Sequence, residues 1–254
     1  MRGKSAAPKT SERGTERLHK RIAGAGLCSR RAAEEWIAQG RVEVNGRIVT
    51  EMGVQVGPDD VVRVDGQTLG GTRHFYLAMN KPTGVVTTLS DPQRRRTVAQ
   101  LLPEVGGAVL KPIGRLDMDT EGLLLFTNDG TFAHRMAHPR YEIEKEYHAL
   151  VEGVPNEEAL QKLRDGVVVE GRRTAPANVR IKHVVQKSGD ALLILILHEG
   201  RKRQVRLMCE GVGHPVNALK RVRIGPIYLD KLPRGACRML GKQEVDTLKK
   251  LIGI

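Results

Sequence analysis

Apolar positions change texture along the chain. Between Arg17 and about Gly66 they are sparse and periodic. Leu18, Ile22 and Ala25 fall at helical spacing in "RLHKRIAGAG", and Gly26 can close that turn. "SRRAAEEWIAQG" offers Ser29 as an N-cap and Gly40 as a stop, with Ala33, Trp36 and Ile37 as its apolar stripe. Val42 and Val44 then alternate with polar residues. Asn45-Gly46 predicts a tight turn into a second strand, and "DDVVRVDG" predicts one more. "GQTLGGTR" has no period and predicts a linker.

Beyond the linker the apolar runs lengthen. "FYLAMNKP", "GVVTTL", "GLLLFTN", "EYHALVEG", "GVVVEG", "ALLILILHEG" and "VRIGPIYL" predict strands. "TFAHRMAH", "NEEALQKLRDG", "KRQVRLMCEG" and "KQEVDTLKKLIG" predict helices, and Asn128-Asp129-Gly130 predicts a helix-entry turn. Strands often follow one another directly, which favours an α+β fold with a mixed or antiparallel sheet over a doubly wound parallel one. The expected organisation is a flexible basic tail at 1–16, a helix-hairpin domain at 17–66, a linker at 67–73 and a larger domain at 74–254.

Charge narrows the partner. Lys and Arg number 42 against 29 Asp and Glu, a formal net charge of +13, which favours a polyanion and above all nucleic acid. At 3% aromatic residues, a base-stacking platform is not supported. No run of about 18 apolar residues suggests a membrane span. The polar N-terminus lacks the apolar core of a secretory signal. Cys28, Cys209 and Cys237 are widely spaced and form no CxxC, so neither a zinc ribbon nor a disulfide framework is indicated. A reducing cytoplasm is the expected location.

Candidate phosphate contacts cluster in three places: Arg17, Lys20, Arg21, Arg30, Arg31 and Arg41 on the helix pair; Arg94, Arg95 and Arg96; and Arg201, Lys202 and Arg203. Against this basic background stands "GRLDMDTEGLLLFTNDG", residues 114 to 130, with carboxylates at the mouth of a buried strand. The acids can be plain turn residues, a glycosidase-like pair, or a single carboxylate acting on RNA. Residues i and i+2 of an extended stretch face the same way, so Asp117 and Asp119 are not distinguished by position. His134 and His138 have a metal-compatible spacing, but the Glu of HExxH and a matching third ligand are missing, so no metal is expected.

Two resemblances sharpen the picture. Arg17-Leu18, Gly26, Ser29-Arg30-Arg31-Ala32, Gly40-Arg41-Val42 and Val44-Asn45-Gly46 resemble the alpha-L (S4-type) RNA-binding domain, which implies recognition of structured RNA. "NKPTGVV", "GRLDMDTEGLLLFTNDG", "EKEY", "EGRKRQVRLM" and "NALKRVRIGP" follow in one order. Together they resemble the RNA pseudouridine synthases that modify ribosomal RNA, most closely the large-subunit members. The resemblance implies isomerisation of uridine to pseudouridine in ribosomal RNA. It implies Asp117 as the catalytic carboxylate, with Asp119 a local strand-turn residue. Tyr147 becomes the active-site aromatic, Arg206 the arginine that holds Asp117, and Leu219 the apolar wall; the Asn-Lys-Pro element at Lys81 and Pro82 borders the cleft. No redox step or donor is involved, so no cofactor is expected, and a monomer is expected. Covalent attack and a glycal route both remain open. The alternative is a non-catalytic RNA-binding ribosome assembly factor, which would require loss of a carboxylate that is present here.

Overall fold

Residues 15–70 and 73–254 are described by the computed structural model. The chain separates into two compact units. One reaches to His74 and takes in Val105–Val109; the other comprises Phe75–Glu104 and Leu110–Ile254.

In the first unit, helices Leu18–Gly24 and Arg30–Ala38 pack with a four-stranded sheet in the order Arg47–Ile48, Val42–Val44, Val62–Val64, Gln67–Thr68. Ser29 caps the second helix as expected: its Oγ accepts from the Ala32 amide at 3.1 Å. The hairpin turn has Asn45 and Gly46 both at positive φ, +52° and +77°, as a tight turn of matching twist requires. Leu18, Ile22, Ala33, Ile37, Val42, Val56, Val62 and Val64 form the core. Two expectations change. Gln67 and Thr68, assigned to the linker, extend the sheet by pairing with Val64 and Arg63. Glu16, assigned to the tail, pairs with Val56. The rest of the tail, 1–14, and linker positions 71 and 72 lie outside the described residues.

In the second unit, "GLLLF" becomes the central strand Thr120–Thr127, buried on both faces from Gly122 onward. It belongs to a mixed sheet. The main order is Asn178–Val185, Asp190–Leu197, Lys145–Val151, Val216–Ile224, Thr120–Thr127, Tyr76–Lys81, Cys237–Met239. Val216–Ile224 and Thr120–Thr127 run parallel, and the other neighbours are antiparallel. One edge of the central strand is lined from Gly122 to Thr127 by Tyr76–Lys81. The other edge is shared: Leu219 to Arg221 pair with its first three residues, and Lys111–Ile113 with its last three. Helices Gly130–Ala137 and Lys242–Leu251 bury Phe132, Met136, Val245 and Leu248 with Leu123 and Leu125 of the central strand. The expected helix-entry turn is present: the Asp129 carboxylate accepts from the Phe132 amide at 2.9 Å and from the Tyr76 hydroxyl at 2.8 Å.

"GVVTTL" is not a strand. It contributes only an isolated bridge between Val86 and Thr97. Thr87 bonds the backbone of Leu116 in both directions through its Oγ1, so side-chain bonds replace a ladder there. "GVVVEG" shrinks to the two-residue strand Val168–Val169. Asn178–Val185 forms a further edge strand, in which Val179 and Ile181 alternate with Arg180 and Lys182 until a register irregularity between Ile181 and His183 breaks the pattern.

Candidate active site

Asp117 stands just before the central strand, on a turn pinned from below. Thr87 Oγ1 donates to Leu116 O at 2.7 Å. Lys81 has no solvent exposure, and its Nζ donates to Pro82 O at 3.0 Å, Asp117 O at 3.0 Å and Thr120 O at 2.8 Å. An ammonium has three donors, and all three are used. Burial pushes the Lys81 amine down from 10.5 to about 8, with the Asp119 and Asp117 charges opposing the drop. The Gly84 amide adds a bond to Met118 O at 2.8 Å.

This turn opens on a cavity of about 590 Å³, lined among others by Asp117, Lys145, Tyr147, Leu219 and Arg221. Register explains the set. Tyr147 lies opposite Arg221, and Leu219 lies opposite both Ala149 and Thr120, so three strands deliver side chains to one place. Lys145 and Tyr147, like Leu219 and Arg221, are two apart on a strand and share a face. Burial pushes the Lys145 amine down to about 8, and the neighbouring Arg221 charge acts the same way. Its Nζ donates to Ile143 O at 3.0 Å.

Arg221 is only 3% exposed. Its Nε donates to Leu123 O at 2.8 Å, and its Nη1 reaches the Tyr147 hydroxyl at 3.4 Å. Gly122 makes room for it. A Cβ at position 122 would lie 2.2 Å from Arg221 O, and φ there is +113°. Only glycine lets the two parallel backbones approach so closely.

The expected partner of Arg206 is corrected. Its Nε lies 3.3 Å from Asp119 Oδ2, its Nη2 donates to Asp119 O at 2.9 Å, and its Nη1 donates to Val216 O at 2.9 Å. Among the described residues no ion pair joins Arg206 to Asp117. The reason is local: Met118 and Asp119 form a turn, so the assumption of an extended stretch with both acids on one side does not hold. Asp119 is exposed and also takes Arg203 at 3.1 Å. Asp117 lines the cavity; Asp119 does not.

The other expected phosphate contacts divide. Lys20, Arg30, Arg31, Arg94, Arg96 and Lys202 are exposed and have no ion-pair partner among the described residues. Arg17 is exposed beside Gly53. Arg21 is engaged by Glu16 at 2.7 Å and Gly57 O at 2.7 Å. Asp65 binds Arg41 through two bonds, and Trp36 lies beneath the Arg41 guanidinium. Arg95 is held by Asp91. Arg201 is anchored by Glu199 and by the carbonyls of Arg172 and Arg173. His138 serves structurally, its Nδ1 accepting from the Arg140 amide.

Sequence reasoning gave Lys81 only a bordering place and passed over Arg221. The alternation Leu219-Lys220-Arg221 carried the signal for the latter, since one residue assigned to the wall brings its i+2 neighbour to the same face.

The sequence profile of the RNA pseudouridylate synthase family matches residues 75–211, and that of the S4 domain matches residues 16–62. The chain is 44% identical over 236 residues to the ribosomal large subunit pseudouridine synthase B of Bacillus subtilis (strain 168), across 93% of this chain and 96% of that protein. Its counterpart of the same name from Vibrio cholerae serotype O1 is 39% identical over 248 residues, 94% of this chain and 75% of the relative. A crystal structure of a pseudouridylate synthase is similar, with a TM-score of 0.65 and 32% identity, across 91% of this chain and 99% of that one.

Proposed function

The chain belongs to the RNA pseudouridylate synthase family and carries an S4 domain ahead of the synthase unit, and on that premise we propose that it isomerises a specific uridine of large-subunit ribosomal RNA to pseudouridine. The observation that carries the reading is the cavity that Asp117, Tyr147 and Leu219 line together. Uridine flips out of the RNA to enter such a site. Leu219 holds the base by contact, and Tyr147 stacks on it. Asp117 then acts at the sugar while the N1–C1′ bond breaks. The base turns, C5 joins C1′, the C5 proton leaves and N1 gains one. Substrate and product are isomers, so the balance needs no donor or oxidant. Lys81 keeps the Asp117 turn at the cavity mouth through three backbone bonds.

The exposed, unpaired cations take the RNA backbone: Lys20, Arg30 and Arg31 on the first unit, Arg94, Arg96 and Lys202 on the second. We assign the protein to the cytoplasm as a monomer. The absence of a helix able to cross a membrane among the described residues is consistent with that location. Pseudouridine mapping of ribosomal RNA from cells with and without the protein tests the proposal. One large-subunit pseudouridine should vanish with the protein, and identical maps would refute it.

A further inference from the structure

Tyr147 and Arg221 form a cross-strand pair that the family reading does not use. Their Cα positions are register partners on Lys145–Val151 and Val216–Ile224. The Arg221 guanidinium lies 6.0 Å from the Tyr147 ring centroid, and its Nη1 donates to the phenol oxygen at 3.4 Å. Nε is fixed on Leu123 O at 2.8 Å, so the guanidinium plane is anchored to the central strand. Nη2 is buried and has no hydrogen-bond partner among the described residues. A cationic donor left unpaired in a protein interior is unfavourable, and a cavity wall is where such groups serve function. Gly122 is the residue that admits this arrangement.

We propose that Arg221 is a positioning residue for Tyr147: by donating to the phenol oxygen it fixes the ring against the base and turns the phenolic proton into the cavity, toward a carbonyl oxygen of the uracil. A phenol whose oxygen already accepts from a cation has its own proton free to donate elsewhere. Uracil presents a carbonyl at C4 where cytosine presents an amino group, so a phenol that donates to O4 favours uracil. This inference rests on the uridine reading above for its substrate, but the Arg221–Tyr147 coupling is testable without it.

Single-turnover rates at saturating RNA and RNA dissociation constants are compared for wild type, Arg221→Gln, Arg221→Lys, Tyr147→Phe and both Arg221 changes combined with Tyr147→Phe. Arg221→Gln should slow turnover about tenfold or more with affinity changed less than about threefold. Arg221→Lys keeps charge and stem but cannot bond Leu123 O and Tyr147 together, so it should recover only part of the rate. Adding either Arg221 change to Tyr147→Phe should slow that variant no further, because Arg221 acts through the phenol. Additive losses, or weaker binding at unchanged rate, would overturn the proposal. If Arg221→Gln does not fold, the Arg221→Lys series decides by the same criterion. NMR of tyrosine-labelled protein reads the coupling independently of turnover. The Tyr147 ring signals, identified by their loss in Tyr147→Phe, should move in Arg221→Lys while those of Tyr76, Tyr141 and Tyr228 stay. Unmoved Tyr147 signals overturn the pairing. A wild-type protein that makes no pseudouridine, with the Tyr147 shift still present in Arg221→Lys, overturns the uridine reading alone.

Discussion

Replacing Lys81 by methionine removes a buried ammonium from beneath the Asp117 turn, and its effect on stability should depend on pH in a defined way. The folded amine titrates near 8 instead of 10.5 because burial disfavours its charge. Between those values the unfolded chain binds a proton that the folded chain does not. Wild-type unfolding free energy therefore gains from this group as pH rises through the window. The drop corresponds to about 3 kcal/mol at full extent, roughly 1.4 kcal/mol for each pH unit. Below pH 8 the ammonium's burial cost is fully present in wild type. It is offset there by the bonds to Pro82 O, Asp117 O and Thr120 O, so Lys81→Met should change stability at pH 7 by only about 0–3 kcal/mol. From pH 8 to 10 the wild type should gain about 2–3 kcal/mol relative to the variant. Taking the difference cancels other titrating groups, including buried Cys209, whose thiol is pushed up to about 12. Urea unfolding followed by circular dichroism at pH 7, 8, 9 and 10 measures it. Wild-type and Lys81→Met curves that stay parallel across this range would refute the buried-ammonium reasoning. Turnover at pH 7 should fall in Lys81→Met even where stability is hardly altered, because the carbonyl of Asp117 loses this donor.

Other outcomes follow from the same contacts. Gly122→Ala should destabilise by several kcal/mol, about 3 or more, because its Cβ would meet Arg221 O at a positive φ; a melting temperature within about 2 °C of wild type would contradict the close approach. Lys202→Gln should flatten the salt dependence of RNA affinity by about one unit in log–log slope, whereas Arg201→Gln should lower the melting temperature by freeing the carbonyls of Arg172 and Arg173; filter binding over a salt series beside thermal melts separates them. Asp119→Asn removes an exposed carboxylate from Arg203 and Arg206 but leaves the Arg206 bond to the 119 carbonyl, so single-turnover rates should stay above about a tenth of wild type. Loss equal to that of Asp117→Asn would mean the two acids act as a pair.

The helix-hairpin unit and the mixed sheet were legible because their signals are local. Ser29, Asn45-Gly46 and Asp129 dictate backbone conformation within three residues of themselves, and a leucine run such as Leu123 to Leu125 has little choice but a buried strand or helix. The cavity was not legible by pattern alone. Tyr147, Leu219 and Asp117 meet through strand register, and the parallel contact of Leu219 with Thr120 joins segments about a hundred residues apart. Tyr147 and Leu219 were named through resemblance to a family, whereas Lys81 looked like an ordinary polar strand residue. Its three carbonyl acceptors come from Pro82, Asp117 and Thr120, and only the folded turn brings them together. The Arg206 partner was misassigned for a related reason: two residues of separation define a common face in a strand and not in a turn. The edge strand Asn178–Val185 also escapes, because the alternation of Val179 and Ile181 with Arg180 and Lys182 is short and breaks at the irregularity between Ile181 and His183.

The most direct test of the central claim is single-turnover pseudouridine formation by wild type and Asp117→Asn on large-subunit ribosomal RNA, with RNA affinity measured in parallel. Asp117→Asn keeps the size of the side chain and leaves the Lys81 bond to the 117 carbonyl available. Wild type should form one pseudouridine per RNA, and Asp117→Asn none, with affinity within about threefold. Pseudouridine formed by Asp117→Asn at the wild-type rate would contradict the assignment of this carboxylate to the chemistry.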